Sequence, residues 1–178
     1  MDPGPGLSLE IPDPSVVLLV GAAGAGKTTF ARRHFAGDEI LSSDAFRALV
    51  SGDESDQRAT RRAFAILHRE LVRRAGAGRL SVVDATNVER HARRAIVRRA
   101  VAAGVPSVAI VLDVPLRTAL ARNRLRPGRT VAGEVVRHQR ALLDAVLARG
   151  DLGAEGHAVV AVLDPVAVDA VVIVRRPW

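Results

Sequence analysis

The stretch Gly21-Ala22-Ala23-Gly24-Ala25-Gly26-Lys27-Thr28 fits the pattern G-x-x-x-x-G-K-[ST] of a phosphate-binding loop. In such a loop, glycines let backbone N–H groups point inward toward an anion, and the lysine reaches the β- and γ-phosphates of a nucleotide. Lys27 is the single lysine among 26 Lys and Arg residues, so arginine supplies every other permanent positive side-chain charge. We therefore predict that this loop binds a nucleoside triphosphate, with the Thr28 hydroxyl as a ligand of Mg²⁺.

The flanking residues supply the context that this motif requires. Val16–Val20 is an uninterrupted apolar run, as expected of a central parallel strand that is buried on both faces. After the loop, residues Thr29 to Phe35 form a helical pattern that Gly37 ends. Strand, loop and helix in this order favour a functional phosphate loop over a plain Gly/Ala-rich turn.

Asp44 is the strongest candidate for a catalytic group. It follows a short predicted strand, and ligands of an open parallel sheet bind beyond the carboxyl ends of the strands. Arg47 lies one helical turn later, where it could bind an anionic group of an acceptor and favour the charged form of the carboxylate. Asp44 would then be a general base that takes the proton of an acceptor hydroxyl, and a helix N-cap is the simpler alternative.

Two further carboxylates follow predicted strands. Asp84 is placed to help hold Mg²⁺ or its waters, but Asp84-Ala85-Thr86-Asn87 could equally be a polar turn before the next helix, and both readings stay open. Asp113 precedes Val114-Pro115, and we expect it to be an N-cap.

A basic segment, residues 122–135, is a candidate lid. Arg122, Arg126 and Arg129 recur at spacings of four and three, so they would share one face of a helix. Lid arginines that close on the β- and γ-phosphates would neutralise charge during phosphoryl transfer. The alternative is a solvated basic end of a helix, and Pro127-Gly128 introduces a break at which the segment could bend.

Composition limits the class of protein. We expect one domain over residues 1–178, of cytoplasmic location, with a Pro/Gly-rich segment at 1–15, no cysteine and no membrane-spanning stretch. The net charge of +7 and the pI near 11.4 favour a polyanionic partner. The alternative is that arginine pairs on exposed helix faces are merely solvated, namely Arg61/Arg62, Arg73/Arg74, Arg93/Arg94 and Arg98/Arg99. The five histidines show no metal-ligand spacing.

The alternation of strands and helices predicts an α/β fold: a P-loop NTPase of the adenylate-kinase type, with about five parallel strands flanked by helices and an arginine-rich helical lid. We predict an edge strand at residues 7–11, further strands at 39–43, 80–83, 107–112, 158–163 and 170–174, a turn at 165–168, and helices at 45–50, 57–75, 89–103, 115–125 and 131–149.

From about Leu9 to Pro177, the chain resembles the kinase module of bacterial polynucleotide kinase–phosphatase, an RNA-repair enzyme. The resemblance rests on these pieces: Gly21–Thr29, Ile40-Leu41-Ser42-Ser43-Asp44 with Arg47, Asp53–Gln57, Val82–Val88, and the arginines at 122, 126 and 129. The Ser-Ser-Asp-x-x-Arg and Val-Val-Asp-Ala-Thr-Asn pieces are more specific than the phosphate loop. The chain departs from the family at Ala22, Ala23 and Ala25, at Thr28 where serine is usual, and at Pro127-Gly128.

The resemblance implies transfer of the γ-phosphate of ATP to the 5′-OH end of RNA or DNA. Residues Gly21–Thr29 would then bind ATP, Asp44 would be the general base, and Arg47 would hold the phosphate next to the terminal nucleotide. Arg122, Arg126 and Arg129 would contact the nucleotide, and Gln57 would lie near the substrate. Phosphatase and ligase modules accompany this kinase in the family.

Two other functions remain open at this point. One is a kinase of a small metabolite, in which Asp44 activates the hydroxyl of a sugar or nucleoside. The other is a nucleotide-binding regulatory module without transfer activity. The Asp44 and Arg47 pair argues against the second, since a module without transfer needs neither residue.

Overall fold

A computed structural model describes residues 7–52, 59–126 and 130–178. Their strands and helices alternate as predicted. The strands are β1 (Ser8–Asp13), β2 (Val16–Val20), β3 (Ile40–Ser42), β4 (Ser81–Asp84), β5 (Ser107–Leu112), β6 (Val159–Leu163) and β7 (Val172–Pro177). The helices are α1 (Lys27–His34), α2 (Ser43–Ser51), α3 (Thr60–Gly76), α4 (Arg90–Ala102), α5 (Leu116–Arg124), α6 (Gly133–Arg149), α7 (Asp151–Ala154) and α8 (Pro165–Ala170).

Five of the strands form one parallel sheet in the order β3-β4-β2-β5-β6, which confirms the predicted α/β fold. All residues of β2 and β5 are buried, because helices cover both faces of the sheet. Leu67 and Leu71 of α3, Ile96 of α4 and Leu143 of α6 pack on one face. On the other face, Phe30 of α1 packs together with residues from α8, β1 and β7. We call the edge at the carboxyl ends of the five strands the rim.

The chain termini differ from the prediction. The N-terminal strand does not extend the main sheet; β1 pairs in parallel with β7 in a separate two-stranded sheet, with Ser8 opposite Val172. The segment predicted as a turn at 165–168 belongs to α8, whose N-cap Asp164 accepts a hydrogen bond from the Ala167 N–H. An Asp-Pro pair at the N-cap and first position favours a helix start, a signal that the turn prediction missed.

Parts of three predicted segments fall outside the described residues. Residues 1–6 of the Pro/Gly-rich segment lie there, as do residues 53–58 with Gln57, and Pro127, Gly128 and Arg129 of the candidate lid. In the part of the chain that the structure does describe, none of the helices is both long enough and apolar enough to cross a bilayer.

Candidate active site

The phosphate loop connects β2 to α1 at the rim, as predicted. Gly26 has a φ of 93° and caps α1, so the N–H groups of the first helical turn face the loop without an acidic residue among them. Lys27 is 8% exposed and donates hydrogen bonds from Nζ to the carbonyls of Gly21 (2.9 Å) and Ala22 (2.8 Å). The side chain thus lies along the loop, where its ammonium group is placed to contact an anion bound there.

The alanines that distinguish this loop have a packing role. Ala22 and Ala23 form a small apolar cluster with Ala119 of α5 and Val136 of α6. Gly24, with a φ of 82°, approaches α5 so closely that a Cβ at this position would lie 2.1 Å from the Ala119 carbonyl oxygen. Glycine is therefore required here both by backbone conformation and by space. The loop is packed directly against the helix that leads into residues 122–135.

The Ala23 N–H donates to Gln139 Oε1 of α6 at 2.8 Å. Sequence reasoning missed Gln139, because its contact with the loop spans 116 residues and belongs to no local motif. Thr29, predicted to bind the nucleotide, is exposed in the first turn of α1.

Thr28 and Asp84 meet beside the loop. Asp84 is the last residue of β4, and its Oδ2 accepts a hydrogen bond from the Thr28 hydroxyl at 2.7 Å. Burial raises the pKa of Asp84; the nearby Asp44 carboxylate adds to this shift, whereas the Thr28 hydroxyl, Lys27 and Arg126 oppose it. A hydroxyl and a carboxylate are hard oxygen ligands, so this pair fits Mg²⁺, directly or through waters. The contact with Thr28 favours the metal reading of Asp84 over the plain polar turn.

Asp44 lies in the first turn of α2, two residues after Ser42, which pairs with Asp84 across β3 and β4. The N-cap of α2 is Ser42, whose hydroxyl accepts from the Ala45 N–H, so the simpler reading of Asp44 as the cap is wrong. Asp44 Oδ1 forms an ion pair with Arg47, and Oδ2 accepts from Arg126 Nη2 at 3.0 Å. Two guanidinium groups therefore hold one carboxylate at the rim.

The arginine segment has a different shape from the predicted helical lid. Helix α5 ends at Arg124, and Arg126 lies beyond it, so Arg122 and Arg126 do not share a helical face. The residue before a proline is disfavoured in helical conformation, and Arg126 precedes Pro127. The Arg122 guanidinium lies 3.7 Å from the position that a Cβ at Gly26 would take. Both arginines therefore reach the site, Arg122 at the phosphate loop and Arg126 at Asp44.

Asp113 is not an N-cap. The N-cap of α5 is Pro115, and Asp113 instead forms an ion pair with Arg140 of α6, with Oδ1 and Nη1 2.5 Å apart. This carboxylate fixes α6 against the end of β5.

Arg93 is a buried residue that stabilises the turn behind the candidate site. Sequence reasoning counted it among the solvated helix arginines, but it is fully buried, on the same helical face as Ile96, Val97 and Ala100. Its guanidinium makes two hydrogen bonds to Glu155, of 2.6 and 2.7 Å, and donates to the carbonyls of Asn87 (3.0 Å) and Val88 (2.7 Å).

The turn that Arg93 holds also contacts the phosphate loop. The Thr86 carbonyl accepts from the Gly21 N–H at 3.0 Å, and Asn87 Nδ2 donates to the Leu19 carbonyl at 2.8 Å. Asn87 adopts a φ of 49°, which asparagine tolerates better than most residues. The Arg93–Glu155 pair thus fixes the turn that connects Asp84 to the loop.

Arg93→Met is expected to lower the free energy of unfolding by about 3–5 kcal/mol, because the buried Glu155 carboxylate loses both of its hydrogen bonds to Arg93 and keeps only the longer ion pair with Arg90, at 3.8 Å, among its arginine partners in the described residues. Arg93→Met combined with Glu155→Leu is expected to recover much of this loss, since the buried charge is then removed. Urea denaturation measures both. The exposed neighbour provides a matched control, and Arg94→Met should change stability by less than about 0.5 kcal/mol. Equal effects of the two single substitutions would contradict the role of the buried pair.

Comparison with known proteins agrees with this geometry. The family model AAA_33, described as an AAA domain, matches residues 16–149, which include the loop, Asp44, Asp84 and the arginine segment. The chain belongs to this AAA domain family. Among curated proteins, none matches the sequence.

Solved structures share the fold of this AAA domain. The chain is similar to a gluconokinase from Sinorhizobium meliloti 1021, with a TM-score of 0.53 and 17% identity over 86% of this chain and 84% of that chain. For a chain of the Pnkp1/Rnl/Hen1 complex the TM-score is 0.53 at 21% identity, over 67% of this chain and 42% of that one. For the AvrRxo1-ORF1:AvrRxo1-ORF2 complex it is 0.64 at 16% identity, over 85% and 55%. This structural similarity supports a P-loop kinase-like fold. Because the sequence identities are low, it does not identify the acceptor of the phosphate.

Proposed function

We propose that this AAA domain is an ATP-dependent polynucleotide 5′-hydroxyl kinase, a phosphotransferase that acts on 5′-OH ends of RNA or DNA in nucleic-acid repair. The observation that carries the proposal is the Asp44 carboxylate, held by Arg47 and Arg126 at the rim, near the Thr28–Asp84 pair beside the phosphate loop. A P-loop kinase needs a base for its acceptor beside the triphosphate site, and Asp44 has that position.

In this proposal, the residues of the site divide the tasks of phosphate transfer. The loop N–H groups and Lys27 bind the phosphates of ATP, and Thr28 with Asp84 holds Mg²⁺, which supplies charge neutralisation at the phosphates. Asp44 accepts the proton of the acceptor hydroxyl as the hydroxyl oxygen bonds to the γ-phosphorus, the bond from that phosphorus to the β–γ bridging oxygen breaks, and ADP leaves. The two arginines hold the carboxylate in place until the acceptor binds. Arg122, beside Gly26, adds positive charge near the transferred group. We assign the same task to Arg129.

A polynucleotide acceptor is favoured by charge and by local sequence. The chain has a net charge of +7, and Arg47, beside the candidate base, can contact the phosphate that follows a 5′-terminal nucleoside. The segments Ser42-Ser43-Asp44 with Arg47 and Asp84-Ala85-Thr86-Asn87 match the polynucleotide kinase pattern and border the same site. The gluconokinase of similar fold makes a small polyhydroxyl acceptor the second candidate.

Transfer of label from γ-labelled ATP to an acceptor tests the proposal. With Mg²⁺ present, we expect transfer to a 5′-OH oligonucleotide and none to the same oligonucleotide bearing a 5′-phosphate. Nucleosides and sugar acids serve as competing acceptors. Label on these, with indifference to the oligonucleotide, would favour the small-metabolite kinase. No transfer to any acceptor by a folded, ATP-bound protein would favour a regulatory module.

A further inference from the structure

An open groove of about 660 Å³ lies between α3 and α4, outside the site described above. Its walls include Arg61, Arg69 and Arg99, and its apolar part includes Phe64 and Val72. His68 also lines it, and burial together with Arg99 lowers the pKa of His68 to about 4, so this imidazole is neutral at pH 7. The charge of the groove therefore comes from its three guanidinium groups.

These three arginines have no carboxylate partner among the described residues. Arg61 and Arg69 are exposed and take part in no ion pair there, and Arg99 donates only to the Ala95 carbonyl of its own helix, at 2.6 Å. By contrast, Arg73 and Arg74 of the same helix α3 both pair with Glu70. Since none of the described residues that line the groove is acidic, its positive charge is available to an external anion.

The groove leads away from the rim. Helix α3 runs toward Ser81, the first residue of β4, so its beginning at Thr60 lies at the rim end. Arg61 is the second residue of α3, and Arg69 follows eight residues later, about 12 Å along the axis. Helix α2, which carries Asp44 and Arg47, packs along α3. One end of the groove is therefore next to the helix that presents the candidate base.

We propose that the α3–α4 groove binds the backbone of the single-stranded polynucleotide acceptor, several nucleotides downstream of the 5′ end at Asp44. This inference rests on the proposed function, since it assigns the path of that substrate. Guanidinium groups pair with phosphates in a bidentate manner, and spaced arginines along a groove bind a backbone without regard to sequence. The exposed side chain of Val72 and the ring of Phe64 offer apolar surface to sugars and bases.

The test compares a short and a long acceptor in the double variant Arg69→Gln/Arg99→Gln. For a 5′-OH oligonucleotide of about 20 nucleotides, we expect KM to rise about five- to ten-fold with kcat unchanged. For an acceptor of about three nucleotides, which ends before these arginines, KM should stay at the wild-type value. The slope of log affinity against log salt for the long oligonucleotide should fall by about 1.4, because two phosphate contacts are lost.

Arg32→Gln is the matched control, because Arg32 is an exposed arginine of α1 on the opposite face of the sheet. It changes the net charge by one unit without touching the groove, and its KM for both acceptors should equal that of the wild type. Thermal unfolding should show that all variants are folded. An equal KM for the long acceptor in wild type and double variant would overturn the inference, as would an equal rise for both acceptors.

Binding of a fluorescently labelled oligonucleotide, measured by anisotropy without ATP, separates this inference from the proposed function. If the wild type binds the oligonucleotide and the double variant binds it about five- to ten-fold less tightly, the groove assignment holds even if no phosphate is transferred. If phosphate is transferred but binding and KM do not depend on Arg69 and Arg99, the groove assignment fails and the proposed kinase function stands.

Discussion

Asp44→Asn is expected to lower kcat for phosphate transfer to a 5′-OH oligonucleotide by about 10²- to 10⁴-fold, the usual contribution of a general base. Asparagine keeps the shape of the side chain and an oxygen that can accept from Arg126, but it cannot take a proton from the acceptor. The affinity for ATP should change little, because Asp44 lies on α2 and contributes no atom to the phosphate loop. Single-turnover transfer with labelled ATP measures the first effect, and nucleotide titration measures the second.

Asp113→Asn provides the control for this experiment. Asp113 also follows a strand of the central sheet, but it pairs with Arg140 rather than with groups of the candidate site. Its replacement should leave kcat near the wild-type value. ATP-dependent thermal stabilisation verifies that Asp44→Asn remains folded, since this substitution also removes a charge partner of the buried Arg47. Near-normal turnover of a folded Asp44→Asn protein would exclude Asp44 as the base.

Lys27→Arg is expected to reduce phosphate transfer by about 10²- to 10³-fold and to weaken ATP binding, while the fold is kept. The ammonium of Lys27 lies between two loop carbonyls, at 2.8 and 2.9 Å, in a side chain that is only 8% exposed. A planar guanidinium is larger and spreads its charge over a fork of donors, so it cannot take the same place between the phosphates. The packing of the loop against α5 at Gly24 limits how far the backbone can adjust.

Arg32→Lys is the matched substitution for this prediction. It exchanges the same two residue types on the same helix, at an exposed position outside the loop. Transfer and ATP affinity should both remain at the wild-type level. If Lys27→Arg also turned over normally, the loop would tolerate arginine, and the single lysine of the chain would have no special part in the chemistry.

Much of the fold follows from local sequence. The apolar runs Val16–Val20 and Ser107–Leu112 were predicted at their observed bounds, because strands buried on both faces carry apolar side chains at consecutive positions. The phosphate loop could be predicted equally well, since all of its residues are consecutive and lie in a single turn. The end of α6 was predicted at its observed residue, and the other boundaries of α3, α4 and α6 differed by one to three residues, as expected for helix ends.

Contacts between residues far apart in the sequence could not be predicted in this way. Nothing near residue 8 indicates a partner at residue 172, and no motif links Gln139 to Ala23. Arg93 lies at a position that the helical periodicity predicts to be buried, but its charge favoured the prediction of an exposed side chain. Its burial is explained by the contact with Glu155, 62 residues later. A buried arginine requires a partner, and sequence alone does not identify that partner.

By itself, the sequence determined that Lys27 and Thr28 lie in a phosphate loop between a buried strand and a helix, because this geometry depends on consecutive residues. It also placed Asp44, Asp84 and Asp113 at strand ends, and it predicted a base at Asp44 and an N-cap at Asp113 while leaving Asp84 open. Only the tertiary structure showed which groups these carboxylates contact: Thr28 contacts Asp84, Arg126 contacts Asp44, and Arg140 contacts Asp113. These pairings join side chains that are 27 to 82 residues apart, and the way in which helices pack on the sheet decides which charged groups meet.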